Sequence, residues 1–131
     1  MSTAGSRNWH LNLESNWQAE DSDECMTLFR PDGAGALQIS AAIKDDGEVS
    51  EEELNEFIAD CLGTGEFPRV RLGAFLGRCT EYVAEETYWL KWCVSTGRLV
   101  LFVTYTCGFR DKDQERSDVG AMLSTLEAGA S

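Results

Sequence analysis

The sequence predicts an α+β fold, in which a single antiparallel β-sheet of about six strands carries two packed helices. Segments with alternating apolar and polar residues follow one another in runs joined by short turns. Only two segments have helical periodicity, one between the strand runs and one near the C-terminus. Since no linker or internal repeat divides the chain, we expect one domain over residues 1–131, with an ordered core of about 9–127.

Length and composition limit the class of protein. The chain has 131 residues, of which 43% are hydrophobic, enough to bury a core. The longest wholly apolar run is LVLFV, far shorter than a membrane span. The N-terminus lacks the apolar central region of a secretory signal. We therefore expect a cytoplasmic protein without membrane insertion.

The acidic charge is concentrated in the first half of the chain. The net charge is −12; residues 1–66 hold 15 acidic and 3 basic residues, and residues 67–131 hold eight of each. Such a chain repels phosphate backbones, so we expect no nucleic-acid partner. A solvated surface that aids solubility is the ordinary interpretation of this charge.

The cysteines and the single histidine give little sign of metal or catalytic chemistry. Five widely spaced cysteines without a C-x-x-C pair are typical of reduced packing residues, so we expect no metal and no cofactor. They are Cys25, Cys61, Cys79, Cys93 and Cys107. Alternation in WHLNLE places His10, the only histidine, on the surface.

Three strands are predicted before the first helix. The acidic stretch 20–24 is predicted to be a loop, and PDGAG at 31–35 has the composition of a turn. The three strands are WHLNLE (9–14), CMTLFR (25–30) and ALQISAAIK (36–44).

The first helix carries the clearest local signals. Ser50 followed by Glu53 is a capping box, and Gly63 is a natural stop. The apolar stripe predicted to face the sheet consists of Leu54, Phe57, Ile58, Cys61 and Leu62. The opposite face is predicted to form an acidic surface of Glu51, Glu52, Glu53, Glu56 and Asp60.

The second half of the chain repeats the strand pattern. Residues 70–86 indicate a short strand, a glycine-marked turn and a longer strand, and residues 87–94 and 98–107 indicate a hairpin. A second helix is predicted from about Glu115 to Glu127. Its apolar stripe is Val119, Met122, Leu123 and Leu126.

One face of the hairpin is predicted to be core. If Thr96 and Gly97 form the loop, Trp92 lies opposite Leu101, and every apolar residue on this face meets an apolar partner.

The second face of the hairpin also carries aromatic side chains. Either another layer covers this face, or it is an exposed surface that binds a partner. We predict an interaction surface made of Trp89, Lys91, Phe102 and Thr104.

Several features together resemble the Mog/PsbP-like fold family, from about Trp9 to Glu127. They are the W-x-L opening strand, FRPDGAGALQIS, the capped helix, RLGAFLG, the hairpin YWLKWCVSTGRLVLFVTYTC and the closing MLSTLE. The resemblance implies a fold that acts by binding. Members include a Ran-binding nuclear import factor, a photosystem II extrinsic subunit and bacterial adaptor chaperones for type VI secretion effectors. The bacterial branch is the most similar and implies a dimeric chaperone that shelters hydrophobic client segments on a sheet surface.

The function predicted from these observations is a non-enzymatic protein-binding module, such as an adaptor, chaperone or immunity-type protein of a bacterial secretion system. Its partner would be another protein or a second copy of this chain, as in a homodimer. The alternative is a small-ligand-binding domain with a pocket lined by Trp, Phe and Tyr. An enzyme is least favoured, because the sequence has no G-x-G-x-x-G, H-E-x-x-H or G-x-S-x-G motif.

Overall fold

The computed structural model describes residues 2–22 and 25–129, which form ten strands and two α-helices. The predicted α+β class with antiparallel pairing is confirmed. The strands are β1 Thr3–Gly5, β2 Trp9–Asn12, β3 Gln18–Asp21, β4 Met26–Phe29, β5 Gly35–Ile43, β6 Arg69–Leu72, β7 Phe75–Ala84, β8 Thr87–Thr96, β9 Leu99–Gly108 and β10 Glu127–Ala128. The helices are α1 Glu51–Leu62 and α2 Arg116–Leu123, and a 3-10 turn covers Phe109–Asp111.

The strands form two sheets, so the prediction of one sheet of about six strands is wrong. A seven-stranded antiparallel sheet has the order β3-β4-β5-β9-β8-β7-β6, and a smaller sheet has the order β1-β2-β10. Three short strands, β1, β3 and β10, are not predicted from the sequence. The loop predicted over 20–24 overlaps β3, a strand whose four residues are all exposed and therefore lack the alternation that marks a half-buried strand. Residues 23 and 24 lie outside the described residues.

The main core lies between the seven-stranded sheet and a layer formed by α2 and the small sheet. We call the sheet face toward this core the inner face. The small sheet contributes Trp9 and Leu11, and α2 contributes Val119, Met122 and Leu123. The inner face contributes buried side chains from β4 to β9, including Leu28, Leu37, Ile39, Phe75, Trp92, Val94, Leu101, Val103 and Tyr105.

The second helix is shorter than predicted, although all four residues of its predicted stripe are buried. It ends at Leu123, and Leu126 then packs against the β6–β7 turn, where the Ala74 amide donates to the Leu126 carbonyl at 2.9 Å. A side chain at Gly73 would collide with that carbonyl. Beyond the helix, the closing segment pairs with β2 as strand β10.

Helix α1 packs on the other face of the seven-stranded sheet, which we call the outer face. Its capping box is confirmed: the Ser50 hydroxyl accepts from the Glu53 amide at 3.1 Å, and the Ser50 amide donates to Glu53 Oε1 at 3.0 Å. Ile58 is the only stripe residue of α1 that is buried, and Phe57 remains 37% exposed. Neither helix in the described ranges is long and apolar enough to span a membrane.

We expect Ser50→Ala to lower the free energy of unfolding by about 0.5–2 kcal/mol, because it removes the side-chain acceptor at the start of α1. Urea denaturation would measure the loss. Ser117→Ala, at an exposed position within α2, is the matched control and should change stability by less than about 0.5 kcal/mol. Equal effects of the two substitutions would contradict the capping role.

The predicted hairpin register is wrong, because the two-residue loop lies one residue further along the chain than predicted. The loop is Gly97–Arg98 rather than Thr96–Gly97, so Trp92 lies opposite Val103 and not opposite Leu101. Glycine at the first loop position, with φ of 57°, fits a type II′ turn. The correction moves every partner by two residues, which leaves each side chain on its predicted face.

Candidate protein-binding surface

The outer face is only partly covered by α1. Ile58 of α1 packs with Cys93 and Val100 in a second, smaller apolar cluster near the hairpin loop. The four residues of the predicted interaction surface lie on this same face and are half-buried: Trp89, Lys91, Phe102 and Thr104. The second face of the hairpin is therefore covered by α1 at Cys93 and Val100 and only half-buried at the predicted interaction surface.

Lys91 and two aromatic rings form a compact stack at the open part of the outer face. The ring centroids of Tyr82 and Trp89 lie 6.0 Å apart with an interplanar angle of 11°. The Lys91 Nζ atom lies 5.2 Å from each ring centroid. Such cation–π contacts hold the lysine over the rings and fix their orientation.

Tyr82 was missed by sequence reasoning, although it is the direct cross-strand partner of Trp89 and is 39% exposed. Alternation along residues 75–84, read together with the pairing to β8, would have found it. We define the aromatic surface as the four predicted residues together with Tyr82.

The predicted acidic surface is present on α1. Four of its five members are exposed: Glu51, Glu52, Glu56 and Asp60. The fifth, Glu53, contacts Lys44, whose Nζ atom lies 2.6 Å from Glu53 Oε1. The hydrogen bond from Lys44 lowers the pKa of Glu53, and the Ser50 amide adds to that effect.

A buried carboxylate, Glu115, joins three distant segments at the start of α2. Its Oε1 accepts from the Tyr105 hydroxyl at 2.7 Å and from the Gly35 amide at 3.0 Å. Its Oε2 accepts from Arg30 Nε at 2.9 Å and from the Ala34 amide at 3.2 Å. The sequence predicts Glu115 only as the start of a helix. Both carboxylate oxygens accept hydrogen bonds, and the side chain is fully buried. Glu115 therefore has a structural role: it holds the start of α2 against β9 and the segment between β4 and β5.

A second polar cluster lies where β7, β8 and the start of α2 meet. The Tyr88 hydroxyl donates to Glu81, and the Arg116 guanidinium lies 3.2 Å from the same carboxylate. Burial, with the bond to Glu81 second, raises the pKa of Tyr88 to about 12. The bond from Tyr88 lowers the pKa of Glu81.

Burial raises the pKa of four of the five cysteine thiols: Cys61, Cys79, Cys93 and Cys107. All five are free, and Cys93 and Cys107 are buried. Burial raises the pKa of Cys93 to about 12, and the neighbouring Cys61 thiol adds to the shift. Across residues 2–22 and 25–129, no group of three or more His, Cys, Asp or Glu side chains could hold a metal ion.

The cavities between α1 and the sheet differ from the aromatic-lined pocket of the small-ligand alternative. The larger one, about 600 Å³, has Phe67 as its single aromatic residue and includes Arg69 and Arg78.

Comparison with known proteins identifies the fold. No protein-family model and no curated protein matches the chain. A crystal structure from Bacteroides thetaiotaomicron VPI-5482 is similar, with a TM-score of 0.68 and 20% identity over 93% of this chain. This chain spans only 45% of that one. LpqN of Mycobacterium tuberculosis, which is involved in cell envelope biogenesis, has a TM-score of 0.61 and 12% identity over 98% of this chain and 85% of its own. At these identities the similarity shows a shared α+β fold.

Proposed function

We propose that this protein is a non-enzymatic protein-binding module, of the adaptor or chaperone kind, and that it binds another polypeptide through the aromatic surface. The observation that carries the proposal is the oriented stack of Tyr82, Lys91 and Trp89 beside half-buried Phe102, on a part of the outer face that α1 leaves open. Rigid aromatic side chains dominate binding energy at the centres of protein interfaces. Flanking polar residues such as Thr104 keep this face compatible with water in the free protein.

Charge favours a different polypeptide over a second copy of this chain. Each copy carries a net charge of −12, and the exposed acidic residues of α1 lie on the same side of the sheet as the aromatic surface. Self-association through this face would bring like charges together, whereas a basic partner would be attracted. The partner therefore presents apolar side chains flanked by lysine or arginine.

The test is a Trp89→Ala, Phe102→Ala double variant used as bait in pull-down from source cells, with wild type beside it. We expect at least about a tenfold loss of the captured partner, because two central anchors are truncated. Phe109→Ala is the matched control, since Phe109 is 45% exposed in the 3-10 turn, outside the aromatic surface. Steering by charge weakens at higher salt, so the aromatic contribution is measured at about 0.5 M salt.

Undiminished capture by a folded double variant would contradict the proposal. If the double variant fails to fold, the more exposed Tyr82 is replaced alone by Ala, and the same loss of capture is expected in smaller measure. Sedimentation of wild type and variant shows whether a second copy is the partner. A wild-type dimer abolished by the double variant would replace the hetero-partner with self-association.

A further inference from the structure

A groove on the outer face runs between α1 and the edge formed by β6 and β7. Its larger part is a cavity of about 600 Å³, and an adjoining part measures about 470 Å³. Asn55 and Ile58 of α1, together with Arg69 and Arg78 of the sheet, line both parts. Because the two cavities share these four residues, they form one continuous groove.

The two arginines of the groove are direct cross-strand partners. Arg69 of β6 pairs with Arg78 of β7, so both side chains leave the sheet on the same side. Like charges placed directly opposite each other destabilise a sheet. Within residues 2–22 and 25–129, neither guanidinium takes part in an ion pair. Arg78 Nη1 donates to the Phe67 carbonyl at 2.9 Å, which uses one donor and leaves the charge uncompensated.

The arginine pair is distinguished by its placement, because two like charges lie directly opposite each other although acidic residues outnumber basic ones by 23 to 11. Within the described residues, three other basic side chains, Arg30, Lys44 and Arg116, pair with carboxylates, and the remaining Lys and Arg side chains take part in no ion pair. Two acidic residues, Glu51 and Glu66, line parts of the same groove, and neither forms an ion pair with Arg69 or Arg78. An anion placed between the two guanidinium groups would offset their repulsion.

The adjoining part of the groove adds an apolar side to this basic site. Leu54 and Leu76 line it, and Leu76 is 59% exposed. We propose that the groove binds an oxyanion, either a carboxylate or a phosphate, that carries an apolar group. Two guanidinium groups and the Asn55 amide hold the oxyanion, and the apolar group lies toward Leu76. This site is separate from the aromatic surface and does not depend on the proposed function.

The experiment is an NMR titration of the full chain that follows the Asn55 amide and the Nε signals of Arg69 and Arg78. The probes are N-acetyl-leucine, inorganic phosphate and, as the uncharged control, N-acetyl-leucinamide. We expect saturable shifts with a Kd on the order of 1 mM for an oxyanion probe and none for the amide. Tighter binding of N-acetyl-leucine assigns the site to carboxylates, and tighter binding of phosphate assigns it to phosphorylated ligands. Absence of saturation with both oxyanions, or equal binding of the amide, overturns the proposal.

Variants separate a binding role from a structural one. Arg69→Gln and Arg78→Gln should each weaken probe binding at least about tenfold, because each removes one guanidinium. Arg69 is exposed, so Arg69→Gln should fold, with a melting temperature unchanged or raised when no anion is present. Arg110→Gln, an exposed position with the same charge change, is the control and should bind like wild type. Wild-type binding by Arg69→Gln, or loss of binding by Arg110→Gln, would also overturn the proposal.

Discussion

Glu115→Gln is expected to lower the free energy of unfolding by about 2–3 kcal/mol, because it leaves a buried donor without an acceptor and removes the charge that pairs with the partly exposed Arg30. The substitution keeps the shape of the side chain and replaces one acceptor oxygen by an NH2 group. That NH2 group must face donors, because each oxygen of Glu115 accepts two hydrogen bonds. At least one buried donor, such as the Gly35 amide or the Tyr105 hydroxyl, then loses its acceptor. Urea denaturation followed by circular dichroism would measure the change.

The matched control for this prediction is Glu127→Gln. Glu127 also contacts a potential cation, His10, but its side chain is 68% exposed. Solvent screens such a pair, so the control should stay within about 0.5 kcal/mol of wild type. Tyr105→Phe removes one of the four donors and should cost about 1 kcal/mol. A loss below about 1 kcal/mol for Glu115→Gln would show that the network contributes nothing beyond ordinary surface hydrogen bonds.

The elements that the sequence predicts well are those with complete local signals. Helix α1 has its N-cap, its capping-box partner and its terminal glycine within Ser50–Gly63, and the structure keeps all three. The faces of the hairpin were also correct, because alternation is a property of each strand alone. The register was not, because alternation is equally satisfied by shifts of two residues, and only the preference of Gly97 for the first loop position distinguishes them.

The features that the sequence missed depend on contacts between distant segments. Glu115 receives hydrogen bonds from residues 80 to 85 positions away, as well as from Tyr105, and nothing in its local surroundings marks it as buried. Strand β3 is held by backbone pairing with β4 while all its side chains face water. The arginine pair of the groove likewise arises only when β6 and β7 are brought into register.

The candidate surface falls between these two cases. Trp89 and Lys91 could be assigned to one face from β8 alone, and Phe102 from β9 alone. Tyr82 required the pairing of β7 with β8, and the extent of coverage by α1 required the packing of Ile58. Sequence alternation therefore located the surface, and tertiary packing determined which part of it is open.

Raising the pH above about 9 is expected to destabilise the protein through its buried thiol and phenol groups. In the folded protein the pKa of Cys93 is raised from 9.0 to about 12, and that of Tyr88 from 10.0 to about 12. Burial is the main cause, because it disfavours the ionised forms. The unfolded chain then releases these protons at lower pH than the folded chain does. The stabilisation is complete below about pH 9 and is lost as the pH rises toward 12. For the fully buried Cys93 the loss reaches up to about 4 kcal/mol, at about 1.36 kcal/mol for each pH unit.

Cys93→Ala tests this origin of the alkaline loss. The variant should be less stable than wild type near pH 8, because it leaves a small cavity beneath α1 between Ile58 and Val100. Its free energy of unfolding should nevertheless fall more gently than that of wild type between about pH 9 and about pH 11, because one of the linked protons is gone. Ser95→Ala, two residues along the same strand and face, removes no titrating group and should keep the wild-type slope. If the free energy of unfolding falls with pH equally steeply in wild type and Cys93→Ala, the Cys93 thiol ionises as easily in the folded protein as in the unfolded chain. The packing of α1 over Cys93 would then not exclude water.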